Sequence, residues 1–153
     1  MSALELKVPP LALVLIFAFF MWLISEYEHS PALPLPWHIG IAFVCWIAGI
    51  AVILAGMLAF RRAKTTVNPF TPEAATTMVD SGVYRFSRNP MYLGFLLALI
   101  GWAAYLAHLF AFVLLPLFVL YMNRFQIEPE ERALSSKFGS QFAAYAASVR
   151  RWV

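Results

Sequence analysis

Residues 91–123 read MYLGFLLALIGWAAYLAHLFAFVLLPLFVLYMN and contain no Lys, Arg, Asp or Glu. As one straight helix the apolar part of this tract would run about 48 Å at 1.5 Å per residue, against a hydrocarbon core of about 30 Å. It is too long for a single crossing. Arg85 and Arg88 precede it and Arg124 follows it, so one crossing would set strong cations on opposite membrane faces. A hairpin turning near Tyr105–His108 keeps them on one face, with two short arms of about 22 Å each. Neither Gly nor Pro marks that turn.

Two further charge-free tracts, Val8–Ser25 and Trp37–Phe60, are each near or above the length that spans hydrocarbon. With 62% hydrophobic and 12% charged residues and a mean hydropathy of +0.75, the chain has too little polar surface to coat a soluble globule. The expectation is an all-α, polytopic membrane helical bundle of about four transmembrane helices plus a C-terminal cytoplasmic amphipathic helix. Residues 1–60 would form an N-terminal transmembrane hairpin. Residues 61–153 would form a core of cytoplasmic connector, transmembrane hairpin and C-terminal helix.

With both termini inside, the outer loops are Glu26–Pro36 and the hairpin turn, and neither holds Lys or Arg. All 11 basic residues then face one side, as the positive-inside rule expects of cytoplasmic segments. A multi-pass protein of the cytoplasmic membrane follows, with its polar cluster facing the cytoplasm. Topology and anionic lipid account for the net charge of +3, which gives no reason to invoke nucleic acid. Lys7 ahead of an apolar stretch also suits a cleavable signal, but no small-residue cleavage site follows. Cys45 is the single cysteine; with no Cys/His cluster, no metal site is expected.

Along the chain, Ser30–Pro36 is a stiff proline-rich link followed by Trp37 at interface depth. Ala42, Gly49 and Gly56 recur every seven residues, a stripe along which a neighbouring backbone can approach closely. Within the polar stretch 61–89, Thr71-Pro72-Glu73 reads as a helix start and Asp80-Ser81-Gly82 as its stop. Asn89-Pro90 repeats the start signal, with Asn able to cap and Pro suited to the first helical position. From Pro129 onward, Leu134, Phe138, Phe142, Tyr145 and Val149 form an apolar stripe close to period 3.6, predicting one further helix.

The residues that can carry chemistry gather at both feet of the apolar hairpin. Arg85 and Arg88 suit lipid headgroups, but Arg88 also lies beside a helix start whose free N–H groups favour an anion. Tyr84 and Tyr92 suit the interface and can equally flank a planar heterocycle. Glu130 and Glu131 suit the dipole of a helix first turn, and also an amino group or a ribose. Arg150, Arg151 and Trp152 read most simply as an anchor, with Arg150 and Trp152 the candidate substrate contacts. His29, His38 and His108 all fall on or near the outer side, leaving no imidazole base inside. No nucleophile elbow, Walker or dinucleotide fingerprint is present. Any reaction must therefore run on positioning and charge complementarity. Methyl transfer from a sulfonium fits that limit.

Residues 65–153 resemble the isoprenylcysteine carboxyl methyltransferase and phospholipid methyltransferase superfamily of integral membrane enzymes. The resemblance rests on Gly82, Tyr84, Arg88-Asn89-Pro90, Tyr92 and Gly94, then an apolar hairpin, then Glu130-Glu131, Leu134, Phe138-Gly139, Phe142 and Tyr145. It implies S-adenosylmethionine bound on the cytoplasmic side, bordered by Tyr84, Arg88, Asn89, Pro90 and Tyr92 and closed by Glu130 and Glu131. Arg88 and Glu131 would be the catalytic pair. A membrane lipid or other lipophilic acceptor, reacting through a carboxylate, thiolate or amine, would enter from the bilayer. One position departs from the pattern: Asn89 stands where the eukaryotic carboxyl methyltransferases carry His, and Asn hydrogen-bonds but does not titrate. The alternatives are a nicotinamide-dependent membrane reductase of related core and a non-catalytic scaffold subunit.

Overall fold

The computed structural model describes residues 5–27, 37–65 and 76–153. Among the described residues, six α-helices run in chain order: α1 (Pro10–Tyr27), α2 (His38–Arg62), α3 (Pro90–Leu106), α4 (Leu109–Tyr121), α5 (Glu128–Phe138) and α6 (Ser140–Ser148). No strand occurs among the described residues. Three helical runs, Pro10–Tyr27, His38–Arg62 and Leu109–Phe138, are long and apolar enough to cross a membrane, and α3 is a shorter apolar helix. The fold is a helical membrane bundle. The start signal at Thr71-Pro72-Glu73 and the proline-rich link lie outside the described residues.

The apolar tract folds as a hairpin with its turn at Ala107 and His108. Ala107 takes the left-handed conformation (φ 48°, ψ 35°) and donates its N–H to Ala103 and Ala104, while His108 is extended. Glycine would suit that backbone better, since the Cβ of any L-residue crowds the following carbonyl at a cost of about 1–2 kcal/mol, but a single such residue is tolerated. This is why the turn carries no obvious signal in sequence.

α3 is the centre of the bundle. Ala42, Gly49 and Gly56 of α2 are buried, and they meet α3 along its length. A Cβ at Gly49 would lie 2.8 Å from the Gly94 carbonyl oxygen, one at Gly56 2.8 Å from Met91 Cγ, and one at Gly101 3.0 Å from the Ala42 carbonyl oxygen. Residues 42, 49 and 56 thus climb α2 while 101, 94 and 91 descend α3, so the two helices are antiparallel and nearly in backbone contact. On the other side, α1 packs on α3 and α4. Trp102 donates its indole N–H to the Ala18 carbonyl, and Phe17 meets Phe118 edge-on at 5.5 Å. α1 and α2 make at most marginal contact, since α3 stands between them. Leu13, Met21, Leu99, Ala103, Phe118 and Met122 form the core shared by α1, α3 and α4.

The last candidate crossing continues beyond its apolar part. α4 passes through a π-helical turn, Met122–Ile127, directly into α5. The run Leu109–Phe138 has 30 residues, about 45 Å, which exceeds the hydrocarbon by about 15 Å. The excess, about ten residues, falls on the charged end of the run, so Glu130 and Glu131 stand beyond its apolar part. Pro129 has no N–H to offer the carbonyl four residues earlier, that of Phe125. The backbone N–H of Leu6 takes that orphan acceptor at 3.0 Å, and Glu5 follows by pairing with Arg132 at 2.8 Å and Arg124 at 3.4 Å.

One expectation is corrected here. The single helix expected from Pro129 through Val149 is two helices broken at Gly139, whose φ of 52° and ψ of −122° suit only glycine. Leu134 and Phe138 therefore belong to one helix, Phe142 and Tyr145 to the next.

Candidate active site

Three segments meet at the charged end of the bundle: residues 84–92, the rod from Asn123 to Arg132, and residues 149–153. Antiparallel packing places the end of α2, the start of α3, the start of α1 and the end of the rod at this same end. All the basic residues belong to these segments.

Glu130 and Glu131 are neighbours on a helix, so their side chains leave the axis about 100° apart and meet different surroundings. Glu131 is enclosed by cations. Arg151 donates to it through both Nε (3.2 Å) and an Nη (2.6 Å), the two-point geometry that suits guanidinium and carboxylate. Arg88 adds a third contact at 3.1 Å. The hydrogen bond from Arg151 raises the affinity of its guanidinium for its proton further. Arg88 also donates to the Ala146 carbonyl at 3.2 Å, yet its buried Nε has no partner.

Glu130 hydrogen-bonds to no cation among the described residues. It accepts from the Tyr92 hydroxyl and from Gln126 Nε2, the latter at 2.6 Å. Gln126 and Glu130 are four residues apart across the end of the π turn, which brings both onto the face toward α3. Although the residue keeps some accessible surface, protein crowds the carboxyl group itself, and this desolvation raises its pKa from 4.5 to about 7. Hydrogen bonds from Tyr92 and Gln126 pull the other way, and Glu131 adds to the rise. Adjacent acids thus meet different surroundings, Glu131 between two guanidinium groups and Glu130 among neutral donors with its carboxyl pushed up to about 7.

Residues 149–153 form the third wall. The Arg88 N–H donates to the Arg150 carbonyl at 3.0 Å, Asn89 Nδ2 to the Arg151 carbonyl at 3.0 Å, and Trp152 Nε1 to Asn123 Oδ1 at 2.9 Å. An open cleft of about 430 Å³ lies beside them, lined by Glu128, Glu131, Arg132, Ser135, Phe142 and Arg151.

The structure brings together Arg88, Asn89, Tyr92, Glu130 and Glu131. Pro90 is buried at the first position of α3, as expected from sequence, whereas Asn89 makes no capping bond there. Tyr84 sits behind the cleft in a separate apolar cluster with Ala59 and Val79. Its ring meets Phe60, its carbonyl accepts from the Tyr145 hydroxyl at 2.7 Å, and burial pushes its phenol well up. Burial likewise raises Tyr145 to about 12. Arg150 has an exposed side chain and offers its carbonyl, and Trp152 packs against the core. Sequence reasoning passed over Gln126, Asn123 and Ser135, and treated Arg151 as an anchor. Only the spacing of Gln126 four residues before Glu130 hinted at a shared face.

A polytopic helical membrane protein with paired acids and arginines at one end of a transmembrane hairpin is the class these features define. The chain belongs to the phospholipid methyltransferase family, which matches residues 37–141. It is 43% identical over 63 residues to an uncharacterized protein of Haemophilus influenzae, covering 41% of this chain and all of that one. It is 28% identical over 127 residues to Protein-S-isoprenylcysteine O-methyltransferase A of Arabidopsis thaliana, covering 82% of this chain and 64% of the plant protein. The chain thus spans less than two thirds of that enzyme's length. No solved structure matches. Family and plant relative together support a membrane methyltransferase.

Proposed function

We propose that this protein transfers a methyl group from S-adenosylmethionine to a lipophilic or small apolar acceptor, through a carboxylate, thiolate or amine. The observation that carries the reading is the convergence of Arg88, Glu131 and Arg151 beside Tyr92, Gln126 and Glu130, from three segments distant in sequence. The donor set suits such a ligand: guanidinium groups for a carboxylate, acids for an amino group and ribose hydroxyls, Phe142 for a flat base. The buried, unpartnered Nε of Arg88 offers one more donor, which is costly to leave unmet.

S-adenosylmethionine, when bound, supplies an electrophilic methyl group on a sulfonium centre. The chain's own residues bind and orient. Arg88 and Glu131 fix the polar end of the donor, and Arg151 and Arg132 line the cleft on the Glu131 side. Glu130, beside the Tyr92 hydroxyl, is the group able to hold a proton released by an amine acceptor; a carboxylate or thiolate would need none removed. The membrane acceptor enters from the bilayer, and Arg150 and Trp152 are assigned to its contact. The charged end faces the cytoplasm from the cytoplasmic membrane, a reading supported by the gathering of the basic residues there.

Isothermal titration with S-adenosylhomocysteine tests the assignment on the wild-type protein, Arg88→Ala and Glu131→Ala. Binding by the wild type and its weakening by tenfold or more in both variants are expected. A silent wild type, or one affinity across all three, refutes it.

A further inference from the structure

We propose that Asn89 is a positioning residue: its side-chain amide grips the backbone at Arg151 and thereby aims the Arg151 guanidinium at Glu131. At the head of α3 an Asn side chain would ordinarily accept a hydrogen bond from the first helical turn. Here it makes none. Its Nδ2 instead reaches the Arg151 carbonyl at 3.0 Å, across 62 residues of sequence.

Neighbouring contacts serve the same end. The buried Ser87 hydroxyl accepts the Asn89 N–H at 3.1 Å and approaches the same Arg151 carbonyl at 3.5 Å. The Arg88 N–H holds the preceding carbonyl, and the Trp152 indole is tied to Asn123 on the rod. Residues 150–152 are therefore pinned at successive positions, in backbone outside any helix. A long Arg side chain carries a large rotamer entropy. Fixing its backbone lets it make the two-point contact with Glu131 at a smaller entropic cost. The chemistry asks only for a neutral N–H donor at position 89, so a residue that does not titrate suffices.

Two measurements test this. A nitroxide on Val153→Cys, in a Cys45→Ser background, reports on the pinned segment without any ligand. Asn89→Leu is expected to add a mobile spectral component, and Asn89→His, which retains an N–H donor, to restore the immobile one. Titration with S-adenosylhomocysteine then reads the consequence, and this arm alone rests on the methyl-donor reading above. Asn89→Leu and Arg151→Gln should each weaken binding about tenfold, and the double variant no more than about tenfold in total, because both act through one contact. Losses that multiply to about a hundredfold overturn the proposal, as does an unchanged spectrum in Asn89→Leu. Should the wild type bind no S-adenosylhomocysteine while the spectra follow the expected pattern, the donor assignment falls and the positioning role stands.

Discussion

Three glycines on one helix give the structure a graded test, because alanine meets a different obstacle at each. At Gly49 the added Cβ would sit 2.8 Å from the Gly94 carbonyl oxygen and 3.4 Å from the Ala98 nitrogen, both backbone atoms. Neither can swing aside, so α2 or α3 must shift bodily. Overpacking of this kind costs about 1–3 kcal/mol. At Gly56 the obstacle is Met91 Cγ at 2.8 Å, part of a flexible side chain that can take another rotamer, and the loss should stay below about 1 kcal/mol. At Gly40 nothing lies within 4 Å. There Ala should be neutral or stabilise by up to about 1 kcal/mol through helix propensity. Reversible unfolding in mixed micelles, run on all three variants, should rank them Gly49→Ala below Gly56→Ala below Gly40→Ala. Because α3 carries Tyr92 in its first turn, Gly49→Ala should also weaken S-adenosylhomocysteine binding while Gly40→Ala leaves it alone. Equal unfolding free energies for Gly49→Ala and Gly40→Ala would refute the close approach of α2 and α3.

Two other outcomes follow from the charged end. The Glu130 carboxyl binds its proton more tightly in the folded protein, so its contribution is fully present below pH 4.5 and is lost as pH rises to about 7. The expected loss is about 3 kcal/mol; Glu130→Gln should abolish it, and parallel pH–stability curves for wild type and variant would contradict the buried-acid account. Gly139→Ala meets no atom within 4 Å but forces φ of 52° on a residue with a Cβ. A loss of about 1–3 kcal/mol from backbone strain alone is expected in the same unfolding assay, and none would mean that α5 and α6 are not broken there.

The crossings were legible in the sequence because a membrane span leaves a coarse mark, a long run without charge. The hairpin followed from arithmetic on residues 91–122 and from where the arginines lie, and the stripe at Ala42, Gly49 and Gly56 declared its packing role by spacing. The interior of the site was less legible. Period 3.6 carried the eye across Gly139 because a single left-handed residue hardly disturbs an apolar pattern, and only its backbone angles reveal the break. Arg151 read as an anchor since nothing in a sequence says that two guanidinium groups converge on one acid 20 residues earlier. Gln126 left only its four-residue spacing to Glu130 as a sign, because the π turn that contains it resets the helical register and counting alone does not fix the face.

The unbroken rod from Leu109 to Phe138 has one more effect. Glu130 and Glu131 ride on this long run, whereas Tyr92 rides on α3, a shorter helix, with Arg88 just ahead of its start. A change in acyl-chain length alters the tilt of a long helix and a short one by different amounts. The distance between acids and arginine is therefore expected to respond to the thickness of the host bilayer, which would make the lipid a mechanical input to the chemistry at its surface.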